Sequence, residues 1–143
     1  MKRFAFRLED VLKVRHLKKK LAQRQLMESQ AMLQERLEEK LQVQDSYQQS
    51  FRTQIGQWSV QQFQSVLSAY RSRLQSEEQA LAAEIDTLSQ RIQRERFDLG
   101  EKQKAEKVLE TLREKQAAAH RSSEEKKEQR EMEELELLKR GNS

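Results

Sequence analysis

No proline interrupts this chain of 143 residues, and only three glycines do. A β-rich fold needs turn residues every ten or so positions, and they are absent. Long helices are what such a chain is free to form. Its apolar share, 35%, is too small for the thick core of a compact domain, which carries about 45–50%. Disorder would be the other outcome of so many charges. Against it, the leucines recur at helical spacing and 28 Lys/Arg stand against 24 Asp/Glu, so the charges nearly cancel. What survives is long amphipathic helix in a coiled coil.

One interruption divides the helical pattern, at Ile55-Gly56-Gln57-Trp58-Ser59-Val60-Gln61-Gln62-Phe63. Gly56 suits a helix C-terminus because it enters the left-handed region without a Cβ clash. Ser59 with Gln62 three residues on is a capping box, and Trp58 with Phe63 occupies the two positions of a hydrophobic staple. The spacing predicts an all-α fold: an antiparallel two-helix coiled-coil hairpin forming a single unit over 1–143. Helix 1 is expected over about 5–55, the turn over 56–59, and helix 2 over about 60–140, overhanging the N-terminus.

With 100° per residue, Leu8, Val11, Leu12, Leu26, Leu33, Leu37, Leu41, Tyr47, Phe51 and Ile55 fall on one stripe of the first helix. On the second, Phe63, Leu67, Tyr70, Leu74, Leu81, Ile85, Leu88, Ile92 and Leu99 are spaced by threes and fours. Glu77 and Glu95 fill seam positions there, and the run 77, 81, 85 predicts a stutter. Centring the reversal near Ser59 pairs residues whose numbers sum to about 118. Phe51 then faces Leu67, Leu37 faces Leu81, Leu26 faces Ile92 and Leu8 faces Leu109. Residues beyond about 117 overhang, and an unpaired helix there should fray or dock on something.

Three zones differ in chemistry. Residues 1–27 hold nine Lys/Arg against Glu9 and Asp10. Arg15 and Lys19 take the seam there, while Val14, Leu17 and Leu21 point to the opposite side. Those three residues either form a partner surface or are buried by a local register shift, and burial is the commoner outcome. The zone around the turn is rich in glutamine, with Asp45 and Arg52 its only charges between 42 and 70, and carries Tyr47, Phe51, Trp58, Phe63 and Tyr70. Few charges around large rings describe the centre of an interface better than a solvated face. The tail from Arg121 to Arg140 alternates signs, as an exposed helix does, with a thin line of Met132, Leu135 and Leu138.

Catalysis has no foothold. His16 and His120 begin no metal-ligand pattern, cysteine is absent, and three scattered glycines cannot cradle a phosphate. The expectation is a non-enzyme with no cofactor. No apolar run reaches the ~18 residues of a membrane span.

The opening Phe4-x-Phe6-x-Leu8-Glu9-x-Val11-Leu12-x-x-Arg15 and the stretch Glu101-Lys102-x-Lys104-x-Glu106-Lys107-x-Leu109-Glu110-x-Leu112 resemble the flagellar export protein family FliJ, as does the Glu/Lys-rich tail. The resemblance implies a stalk in the flagellar type III export apparatus, cytoplasmic and peripheral at the inner face of the membrane only through its partners. Those partners would be the hexameric export ATPase, whose ring pore receives the end carrying the termini, the cytoplasmic domain of the export-gate protein FlhA, and export chaperones. For the gate it implies Tyr47, Phe51, Phe63 and Leu67, with Tyr70 and Leu74 departing in residue type. For the ATPase ring, the basic zone supplies Arg15, Lys18, Lys19 and Arg94. The rivals are the analogous stalk of a virulence-type injectisome and a basic coiled-coil adaptor on nucleic acid, which the interleaved glutamates disfavour. Self-assembly through Val14, Leu17 and Leu21 is a further alternative.

Overall fold

The computed structural model describes residues 2–52, 56 and 58–141. They form two helices, α1 (Glu9–Ser50, 42 residues) and α2 (Val60–Gly141, 82 residues), with no strand among the described residues. The chain is an all-α antiparallel helical hairpin. It divides into two compact units, one of Met1–Leu21 with Gly100–Ser143 and one of Ala22–Leu99. We call them the terminal unit and the turn unit.

In the terminal unit, α1 begins four residues later than the sequence predicts. Phe6 is buried against Leu12 and Leu109, with Leu8 and Leu112 packed around them, and this contact holds residues 2–6 out of the helix. His120 Nε2 donates to the Lys2 carbonyl at 2.9 Å, so partners for α2 extend to residue 120. Glu9 and Asp10 stand in the first turn of α1, where negative charge offsets the positive end of the helix dipole. Beyond His120, α2 stays helical to Gly141 with its side chains almost wholly exposed, the expected overhang.

In the turn unit, the seam on α2 from Arg71 onward runs Arg71, Leu74, Glu78, Leu81, Ile85, Leu88, Ile92, Glu95, Leu99, with Ser89 half-buried beside it and Phe63 and Leu67 half-buried before it. From Arg71 to Leu99 these steps alternate threes and fours, the heptad of a left-handed coiled coil. The stutter expected at 77, 81 and 85 is absent there: Glu78 sits in the seam, bonded to Gln44 at 2.8 Å, and Glu77 is exposed. Glu95 does take the seam position. On α1 the seam passes through Arg36, Lys40 and Val43, leaving Leu37 and Leu41 exposed. A wheel turning a fixed 100° drifts by about 20° per heptad against a supercoiled seam. Over four heptads that drift carried the expected stripe onto the flank.

The register also differs. Bonded residues across the hairpin have numbers that sum to 120–125 in the terminal unit and to 120–124 in the turn unit, about one helical turn from the expected 118. Phe51 accordingly faces Arg71 rather than Leu67, while Leu8 shares one cluster with Leu109. The cause is the connection, which occupies 51–59. Ser50 Oγ turns back to the Tyr47 carbonyl at 2.6 Å, and the N–H groups of Phe51 and Arg52 close tight turns onto Gln48 and Gln49. Helix 1 thus ends at Ser50, not near 55. Gly56 lies within the connection at φ 62°, the left-handed conformation expected of it, but does not end the helix. The Ser59 cap is formed: its Oγ accepts from the Gln62 N–H at 3.2 Å. Ile55, with its place on the stripe and its pairing with Phe63, lies outside the described residues.

Candidate partner-binding surfaces

The turn unit builds its aromatic surface on the end of α1. The last carbonyls of a helix lack intrahelical partners and carry partial negative charge. Arg71 of α2 supplies both needs: its Nη2 donates to the Ser50 carbonyl at 3.1 Å and its Nε to Ser50 Oγ at 3.0 Å. The same guanidinium lies 3.9 Å from the centroid of the Phe51 ring, a cation–π stack. Phe51 meets Tyr47 edge to face at 5.1 Å, and Gln75 Nε2 donates to the Tyr47 hydroxyl at 3.0 Å. Phe51 is thereby fixed in orientation while 57% of it stays exposed.

Of the residues expected at an export gate, Tyr47 and Phe51 are in direct contact, and Phe63 and Leu67 are half-buried on the first turns of α2. Tyr70 is exposed, its ring 5.5 Å from the Arg73 guanidinium. Leu74 is only 5% exposed, so its side chain packs inside the hairpin and cannot reach a partner directly. Trp58, Val60 and Val66 add exposed apolar surface. Arg71 was missed in the sequence because a lone arginine beside a glutamine-rich stretch carries no motif.

The terminal unit is organised around charge. Glu106 on α2 is 4% exposed and accepts from His16 Nδ1 at 2.6 Å and from Lys19 Nζ at 2.7 Å. The hydrogen bond from Lys19, then that from His16, lowers its pKa below the ordinary glutamate value against the opposing cost of burial. Arg15 Nη1 donates to the Ala105 carbonyl at 2.8 Å, and Arg113 pairs with Glu9 at 3.3 Å. Arg15 and Lys19 do take the seam, and their polar ends are spent on the partner helix.

Val14, Leu17 and Leu21 are exposed, Leu17 and Leu21 to 60%. The commoner expectation, that a register shift buries them, is overturned: the seam runs through Arg15 and Lys19, which turns the opposite face outward. Lys18 is exposed on that side, and Lys13, Lys18 and Lys20 make no ion pair among the described residues. Arg94, in the turn unit, is exposed in a shallow depression with Gln90, Gln93 and Phe97. No group of three metal-ligating side chains occurs among the described residues, and no described helix is long and apolar enough to cross a membrane.

Large aromatic rings exposed at a helix end are of the kind enriched at the cores of protein interfaces. The family model described as the flagellar FliJ protein matches residues 4–141. Neither a curated protein nor a solved structure matches the chain.

Proposed function

Because this chain belongs to the flagellar FliJ protein family, a component of the flagellar export apparatus, we propose that it is the non-enzymatic stalk of that apparatus. In this reading it binds and stimulates the hexameric export ATPase and links it to the cytoplasmic domain of FlhA and to export chaperones. The observation that carries the reading is the division of exposed chemistry. Aromatic rings with few charges stand at the turn, and Lys13, Lys18 and Lys20, without an ion pair among the described residues, stand in the terminal unit. Rings of this kind anchor protein interfaces through desolvated area. Exposed lysines steer association with an acidic surface and lose that effect as salt rises.

The geometry refines the assignment of residues. Arg15 and Lys19 are committed across the seam, so they position α1, and Lys18 and Arg94 are the members of the set exposed to meet the ring. Tyr47, Phe51, Phe63, Leu67 and Tyr70 carry the gate contact, and Leu74 supports them from inside. The test is the rate of the export ATPase with and without this chain across a salt series. Stimulation that fades with salt and is reduced by Lys18→Glu supports the stalk; an ATPase indifferent to the chain at low salt refutes it.

A further inference from the structure

The terminal unit exposes two helical stripes of opposite charge. On α1, Val14, Leu17 and Leu21 are exposed at spacings of three and four, which places them on one face. Lys13, Lys18 and Lys20 flank that face and make no ion pair among the described residues. On α2, Met132, Leu135 and Leu138 are exposed at spacings of three, and Glu128, Glu131 and Glu136 flank them, likewise without an ion pair among the described residues. Each stripe offers three apolar side chains and three flanking charges of one sign, which outnumber the opposite charge at the end of each, Asp10 on the basic stripe and Lys139 on the acidic one. Each is what the other lacks.

We propose that the acidic stripe of one copy docks on the basic stripe of a second copy of this chain. Docking within one molecule is excluded by the helix itself. Arg15 and Lys19 are bonded to Ala105 and Glu106, so the basic stripe lies beside that part of α2. Met132 is a further 26 residues along the same unbroken helix, on the order of 40 Å away. The stripe cannot return without breaking α2. The occupant is a second molecule rather than an acidic stranger because the complementary surface is carried by the chain itself, on a helix segment whose side chains are almost wholly exposed. Two stripes of this size bury less than a standard interface, so the association is weak and reversible, and its charged flanks make it salt-sensitive.

Sedimentation of the full chain over a range of concentrations tests this. At low salt the wild type should associate in a concentration-dependent way, and added salt should dissolve the assembly. Reversing the basic flank (Lys13→Glu, Lys18→Glu and Lys20→Glu together) should weaken association about tenfold or more. Reversing the acidic flank (Glu128→Lys, Glu131→Lys and Glu136→Lys together) should do the same. An equimolar mixture of the two variants should associate again, because each then carries the complement of the other. Should either triple variant lose its helical circular dichroism, Leu17→Ala and Leu135→Ala take its place, each expected to weaken association without changing helicity. A wild type that remains monomeric at the highest concentration and lowest salt overturns the proposal, as does a mixture that fails to associate. Because no ATPase or gate protein is present, failure here leaves the stalk reading untouched.

Discussion

Both units carry polar contacts across the hairpin, but they place their best-held charge differently. In the terminal unit a carboxylate, Glu106, is buried between α1 and α2 and held by Lys19 and His16. In the turn unit the arginine that ties the helices together, Arg71, lies at the end of α1 and supports a ring that faces outward. A buried ion cluster adds little net stability, since desolvation offsets its attraction, but it is expensive to break and penalises any register that separates its members. An exposed ring does the reverse. It contributes little to folding and keeps its apolar area for a partner. The comparison teaches that charge inside can specify alignment while apolar surface outside specifies affinity, inverting the usual expectation.

The largest effect should come from emptying the buried site. Glu106→Ala leaves Lys19 and His16 without the buried carboxylate that binds them both, and unfolding in urea should show a loss of about 2–4 kcal/mol. The lower half of that range reflects the 22% of the Lys19 side chain that remains hydrated. Glu95 provides the internal contrast. It accepts from Ser29 and Arg91 through Oε1, but its Oε2 is buried without a partner. Glu95→Gln keeps the oxygen that accepts from Ser29 and Arg91 and removes a buried charge, and should cost under about 1 kcal/mol. If the two substitutions were equally damaging, the special standing of the Glu106 cluster would be lost.

Acid sharpens the same point. The folded-state pKa of Glu106 is depressed, so its contribution is fully present above the ordinary glutamate value of 4.5 and is lost as pH falls through the lowered native value. Stability measured from neutral pH downward should therefore fall more steeply in the wild type than in Glu106→Gln, with the two curves parallel above that value. Parallel curves throughout the acid range would show that the cluster carries no linkage.

Much of this arrangement is legible from residues alone, and the rest fails for identifiable reasons. The hairpin, the Ser59 cap, the left-handed Gly56 and the seam positions of Arg15, Lys19 and Glu95 follow from local spacing and from capping chemistry that acts over three residues. Arg36, Lys40 and Glu78 do not, because counting apolar residues cannot find a seam that is polar at those levels. The register slipped by a turn because Ser50 ends α1 through bonds to the Tyr47 carbonyl and to Arg71, the latter a contact between residues 21 apart that no local pattern announces. The outward turn of Val14, Leu17 and Leu21 follows from the seam residues on the other side of the same helix. The aromatic set around the turn was legible as composition, but burial alone separates Leu74, inside the hairpin, from Phe51, outside it.

Arg71 lies between these extremes. Arg71→Ala removes a bond to the last carbonyl of α1 and the stack on Phe51 together, and should cost about 1–2 kcal/mol. Arg71→Lys keeps the charge at the helix end but loses the planar fork that serves Ser50 and Phe51 at once, and should recover about half of that. Full recovery by lysine would mean that charge alone matters and that the ring is not held by the stack.

Phe51→Ala should have the smallest effect on folding and is the sharpest test of the division. With 57% of the residue exposed, its truncation should lower stability by under about 1 kcal/mol, whereas Leu74→Ala, in the seam, should cost about 2–4 kcal/mol. If the gate contact lies here, Phe51→Ala should also weaken binding to the cytoplasmic domain of FlhA by about tenfold or more, while leaving ATPase stimulation as it was. The ring would then be costly to lose only when a partner is present. A Phe51→Ala chain destabilised as much as Leu74→Ala would instead make the ring part of the fold. The turn unit would then resemble the terminal unit, both using their distinctive residues to hold two helices together.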